Sequence, residues 1–238
     1  MGRIFEKRKH RMFARFAKMS QAFNRVRKDI EMAVKAGGAD PKGNTRLRIA
    51  LQNAKAVNMP KDRIDAAIKR ASSKDTTNYE EINYEGYAPH GVAVLVQTAT
   101  DNPNRTVANV RHLFRKYEGT LGNSGSISFM FDHKALIKIE RALINDPEGF
   151  ELELIDFGLE EMIVEDDFIY IYTVFEDFGT MQKALEDKGI EINSSEFQHI
   201  PNNYKELNDE QLKEVTDLID ALEEDDDVQS VYHNATGV

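Results

Sequence analysis

At Ser72-Ser73 the hydrophobic period of this chain changes from that of helices to that of strands, and no bulk property constrains the fold as tightly. Upstream, Met19, Phe23, Val26, Ile30 and Ala33 recur at steps of three and four, which lays one apolar stripe along a helix over residues 19–36. Gly37-Gly38 supplies a left-handed end for it, and Pro41 discourages renewed helix before Asn44. Asn44 is placed to cap a second helix that presents Leu47, Ala50, Leu51, Ala54 and Val57. Asn58-Met59-Pro60 breaks that pattern, and Pro60 suits the first turn of a third helix carrying Ile64, Ala67 and Ile68. Residues 4–18 are rich in Arg, Lys and Phe, with Glu6 their one acid. The first third therefore reads as a small helical bundle with a basic leader.

Downstream, residues 82–87 and 92–100 are rich in β-branched and aromatic side chains and are separated by Pro89 and Gly91, as two strands would be. A helix over 104–117 places Val107, Val110, Leu113, Phe114 and Tyr117 on one face and ends at Gly119. Strands are expected at 126–131, 135–139, 161–165, 168–174 and 191–199, with a helix at 178–188. Residues 150–157 alternate as a strand would, yet a helix there gives a natural crossover and the order βαββαβ, and we take the helix. A last helix carries Leu212, Val215, Leu218, Ile219 and Leu222, followed by a strand at 228–232. The fold class is a multi-domain α and α+β chain, an N-terminal helical bundle followed by two ferredoxin-like α+β domains, the third inserted within the second. The expected boundaries are 1–75, then 76–131 plus 206–238, with 132–205 as the insertion.

The net charge of −10 hides a strong asymmetry. Residues 1–74 hold 20 Lys and Arg against 6 Asp and Glu, leaving 11 against 35 in the remainder. Such a distribution points to a basic portion facing a polyanion and an acidic portion facing solvent or a basic protein. Phosphate backbones attract clustered cations, and counterion release makes that binding independent of sequence. The candidates are Arg8, Lys9, Arg11, Arg15 and Lys18 in the leader, with Arg25, Arg27 and Lys28 on the first long helix. Arg46, Arg48, Lys55, Lys61, Lys69 and Arg70 extend the supply, and Phe13 and Phe16 could stack on unpaired bases. Arg105 and Arg111 define a candidate anion site at the helix that follows Asp101-Asn102-Pro103. The plainer reading there is a helix cap, with Arg105 paired to a carboxylate.

Other function classes find little support. There is no cysteine, which removes disulfides, thiolate metal sites and a cysteine nucleophile. No apolar run reaches the ~20 residues that span a bilayer, and no secretory signal opens the chain. The run from Gly119 to Gly125 is glycine-rich but lacks the Lys-Ser/Thr of a phosphate loop. His10, His90, His112, His133, His199 and His233 are scattered without metal-ligand spacing. Residues 223–227 read as a solvated acidic turn. The expectation is a cytoplasmic protein that is not an enzyme, without cofactor, metal or membrane contact, whose oligomeric state the sequence leaves open.

The runs AGGADPKGNTRLRIALQNAKAVNMPKDRIDAAIKRA, YEGYAPHGVAVLVQTATDNPNRTVANVRHLFRKYEGTLGNSGSISFMF and LEEDDDVQSVYHN resemble the YebC/PmpR family, which includes the mitochondrial translational activator of cytochrome oxidase. The likeness spans nearly the whole chain, although the extreme N-terminus departs and Ala88 and His90 stand where many members have glycine. It implies a helical domain followed by two α+β domains. It also implies one of two roles: a regulator that binds DNA at promoters, or a factor that associates with ribosomal RNA and the ribosome and relieves stalling. In the second role the acidic domains would hold a basic protein partner.

Overall fold

The structure is a computed structural model that describes residues 3–73 and 78–237, with side chains from residue 19 onward. Three helices come first: α1 (Arg3–Gly37), α2 (Thr45–Ala56) and α3 (Lys61–Ala71). The expected leader is the first half of α1, in register with the rest of the helix. Phe23, Val26, Ile30, Ala33 and Val34 of α1 pack against Leu47, Ala50 and Ala54 of α2 and Ala67 and Ala71 of α3. Asn44 pins the first connection. Its Oδ1 accepts from the Leu47 amide at 3.0 Å, while its Nδ2 donates to the carbonyls of Ala33 (2.7 Å) and Gly38 (2.8 Å). A Cβ on Gly37 would sit 2.8 Å from the Asn44 amide, so glycine there lets the cap approach.

A first antiparallel sheet follows, built from β1 (Glu80–Ala88), β2 (Val92–Thr100), β3 (Thr120–Leu121) and β9 (Val228–His233) in the order β3-β1-β2-β9. Helices α4 (Pro103–Lys116) and α7 (Asp209–Glu223) cover one face, where Val92, Val94 and Val96 meet Val110, Phe114, Leu218 and Leu222. Ala93 and Leu95 point the other way, against Ile127 and Phe131. Burial on both faces explains why β2 reads as a nearly continuous apolar run.

The second sheet holds β4 (Phe131–Glu140), β5 (Leu159–Val164), β6 (Phe168–Val174) and β7 (Ile192–Pro201) in the order β5-β6-β4-β7. Helices α5 (Pro147–Ile155) and α6 (Phe178–Asp187) close its core over Ile137, Ile139, Ile169 and Ile171. Its chain order is the expected βαββαβ, and the ambiguous segment at 150–157 is helical as far as Ile155, with a turn at 156–158. The first sheet differs from the expected ferredoxin-like plan. Its chain enters through a β1–β2 hairpin closed at Pro89–Gly91, so its order is ββαβαβ. A small parallel pair, β8 (Lys205–Leu207) and β10 (Ala235–Gly237), completes the described elements.

One expected strand is replaced. Residues 126–130 turn through a 3-10 segment at Ser128–Met130, and extended pairing begins only at Phe131. The cause is Glu85, buried on β1. Its carboxylate accepts from the amides of Gly125 (2.7 Å), Ile127 (2.7 Å) and Ser128 (2.9 Å), which bends the backbone around an anion. Burial alone would raise the Glu85 carboxyl, but these amides hold it below its ordinary value.

Candidate nucleic-acid interface

The described cations of the helical unit fall into two sets. Lys28, on the inner side of α1, is 4% exposed. Its ammonium donates to the carbonyls of Ala99 and Asp226, each at 2.7 Å, and to Asp227 Oδ1 at 3.1 Å. Those three bonds use all three of its protons. Lys28, expected among the phosphate contacts, is placed here as a bolt between α1 and the first sheet. Arg25 is committed in the same direction, its Nη2 donating to the Glu223 carbonyl at 3.0 Å and its Nε to that of Val228 at 3.3 Å. The Glu223 carbonyl ends α7, where a cation is favoured by the helix dipole, and that of Val228 opens β9.

Asp227 is the centre of this junction. Its Oδ2 lies 2.6 Å from Arg105 Nη2, 2.9 Å from the Thr106 hydroxyl and 3.1 Å from that of Thr100. Burial alone would raise its carboxyl; the bonds from Arg105, Thr106 and Lys28, with the Lys28 charge, hold it below the ordinary aspartate value. Asp227 is buried, so the acidic run at 223–227 is not simply a solvated turn. Of the two readings for Arg105, anion site with Arg111 or partner of a carboxylate, the structure shows the second arrangement. Arg105 is filled by Asp101 (2.9 Å) and Asp227 (2.6 Å). Arg111 is exposed six residues further along α4, about 9 Å away along the axis and on another face.

Four more candidates are paired. Arg27 bridges to Glu31 at 3.1 Å, and Arg70 approaches the same buried carboxylate at 3.6 Å, tying α1 to α3. Arg46 pairs with Glu81 at the surface. Arg48 lies 3.9 Å from Glu186 and joins α2 to α6. Between Arg25, Lys28 and Arg46 sits Asp29, whose carboxyl burial pushes up to about 7 against the opposing pull of those cations.

The second set faces solvent. Lys55, Lys61 and Lys69 are exposed on α2 and α3 and have no ion-pair partner among the described residues. Lys42 and Arg63, which the sequence did not single out, join them; Arg63 lies over the Phe23 ring at 5.5 Å. The signal for Arg63 was available in its place on the polar side of α3. The side chains of Arg8, Lys9, Arg11, Phe13, Arg15, Phe16 and Lys18 lie outside the described residues. Among the described residues no group of His, Asp and Glu could hold a metal ion, and no helix is long and apolar enough to cross a membrane.

This combination defines the class of the protein: a basic three-helix unit bolted to two antiparallel α+β sheets. Two family models cover the chain, the TACO1/YebC protein N-terminal domain over residues 3–74 and the TACO1/YebC second and third domain over residues 79–235. The chain belongs to the TACO1/YebC family. It is 56% identical over 233 residues to a probable transcriptional regulatory protein of Flavobacterium psychrophilum, covering 98% of each chain. It is 52% identical to a protein of the same description from Myxococcus xanthus, covering 98% of this chain and 99% of that one. The crystal structure of a conserved hypothetical protein from Aquifex aeolicus superposes with a TM-score of 0.79 at 37% identity, over 92% of this chain and 90% of that chain.

Proposed function

We propose that this protein is a nucleic-acid-binding regulator of gene expression, acting in the cytoplasm by binding and without catalysis, and that α2 and α3 contact the phosphate backbone. The observation that carries the reading is the set Lys55, Lys61 and Lys69, exposed and without an ion-pair partner among the described residues, on a unit whose inner cations Arg25 and Lys28 are engaged. An exposed lysine without a carboxylate is free to replace a counterion on a phosphate. The relatives are named probable transcriptional regulatory proteins, which supports a regulator, and we take DNA as its first target. Residues 57–60 join α2 to α3 as a four-residue turn, a length compatible with a helix-turn-helix.

A second reading, association with ribosomal RNA, draws support from α3 itself. Its exposed residues mix Lys61 and Arg63 with Asp62 and Asp65, which suits an irregular phosphate array better than insertion into a major groove. A salt-stepped competition that offers duplex DNA and isolated ribosomes together separates the two. Retention of a promoter fragment over random duplex at physiological salt supports transcription. Transfer to ribosomes as salt rises assigns the protein to translation, and loss of both interactions at low salt overturns the proposal.

A further inference from the structure

The second sheet has two edges, and they are treated differently. On β7 the edge is closed by α2: Asn53 Nδ2 donates to the Ser195 carbonyl at 2.8 Å and Asn53 Oδ1 accepts from the Ser195 amide at 3.1 Å. One side chain thus imitates a neighbouring strand. At the opposite edge, β5 pairs only with β6, and among the described residues no strand lies beyond it. An edge of this kind presents a row of unpaired backbone donors and acceptors.

The flanks of the β5 edge are apolar on both sides of the sheet. Ile163, opposite Tyr170, lies on the face without helices and is 40% exposed; Val164, opposite Ile169, is 44% exposed. Helix α5 packs on β5 and leaves Leu152 and Ile155 exposed at 69% and 55%. A strand added at this edge would alternate its side chains between Ile163 on one face and Val164 with α5 on the other. The register irregularity of β5 falls between Leu159 and Glu161, so the rest of the strand keeps a regular ladder.

Charge selects the occupant. Glu160 already pairs with Lys134 at 3.0 Å, but Glu161 and the turn residues Glu165, Asp166 and Asp167 are exposed and have no ion-pair partner among the described residues. A second copy of β5 would bring the same carboxylates against these, and like charges directly opposite are destabilising. An extended segment with alternating cationic and apolar side chains meets no such repulsion. We infer that the β5 edge is a docking site for an extended, basic segment of a partner protein, which adds to the second sheet as a fifth strand.

The test uses the full-length protein and a synthetic ten-residue peptide of alternating valine and lysine, at physiological salt. Binding with slowed amide hydrogen exchange across Leu159–Val164 supports the inference. So does at least a tenfold loss of affinity on Ile163→Lys, with Glu161→Lys as a second variant that leaves the apolar flank intact. A valine–glutamate peptide, and a valine–lysine peptide with a central proline, should both fail to bind. Absence of binding by the valine–lysine peptide overturns the proposal. So does binding that leaves β5 exchange unchanged, or equal binding of the proline peptide, since charge alone would then account for it.

Discussion

The inner side of α1 and the outer surface of α2 and α3 carry the same kind of side chain and put it to opposite use. Lys28 is enclosed by two carbonyls and a carboxylate and is chemically spent. Lys61, on the neighbouring α3, is exposed and uncompensated. The difference lies in what the rest of the chain brings near each position. The α7–β9 turn delivers Asp227 to α1 from a site 199 residues away, whereas the buried carboxylate that meets α3 among the described residues, Glu31, pairs with Arg70 and leaves Lys61 and Lys69 to solvent. A count of cations therefore measures the supply of charge, whereas only the tertiary fold decides how much of it remains for a ligand.

The comparison breaks most readily at Asp227. Asp227→Ala leaves Lys28 buried without its carboxylate and should destabilise the protein by about 3–5 kcal/mol, measured by urea unfolding. A loss below about 1 kcal/mol would mean that the junction does not hold α1. On the outer surface, the triple variant Lys55→Glu, Lys61→Glu, Lys69→Glu should lower nucleic-acid affinity by about 100-fold and flatten the dependence on salt. Its melting temperature should stay close to that of the parent, because exposed substitutions away from built contacts change little.

Asn53→Ala sharpens the contrast within α2, which hydrogen-bonds the β7 backbone through Asn53 and offers Lys55 to solvent. Losing the two bonds to Ser195 should cost about 1–2 kcal/mol without changing nucleic-acid affinity. Asp29 supplies a pH-dependent test. Its folded value of about 7 lies above that of an unfolded aspartate, so the neutral form favours folding. Its contribution is fully present below about pH 4 and fades as pH rises toward 7. Asp29→Asn should accordingly raise the melting temperature at pH 8 by about 2 °C or more and do little at pH 4. His199 acts in the other direction. Burial, with His133 stacked at 4.7 Å, pushes it down to about 4, so its contribution is lost as pH falls from about 6.5 toward 4. His199→Gln should remove that part of the acid sensitivity, the smallest of these effects.

Much of the fold was legible because periodicity and local capping carried it. The stripe from Phe23 to Ala33, the Asn44 cap and the change of period near Ser72 all appear as the residues suggested. What escaped depends on distant partners. Residues 126–130 look extended until the Glu85 carboxylate, forty residues upstream, gathers their amides. Strands β3, β8 and β10 are two or three residues long, too short to carry a period. The candidate site was legible as a basic third, but the separation of Arg25 and Lys28 from Lys55 and Lys61 was not. Both sets occupy helices of similar composition, and the carbonyls and carboxylates that claim the first set come from residues 99 and 223–228.

The central claim, that phosphate contacts come from the outer cations of α2 and α3, is tested most directly by a lysine-acetylation footprint with and without bound nucleic acid. The prediction is that Lys55, Lys61 and Lys69 react in the free protein and are protected in the complex, while Lys28 is unreactive in both. Reaction of Lys28 in the free protein and its protection on binding, with the other three unchanged, would contradict it.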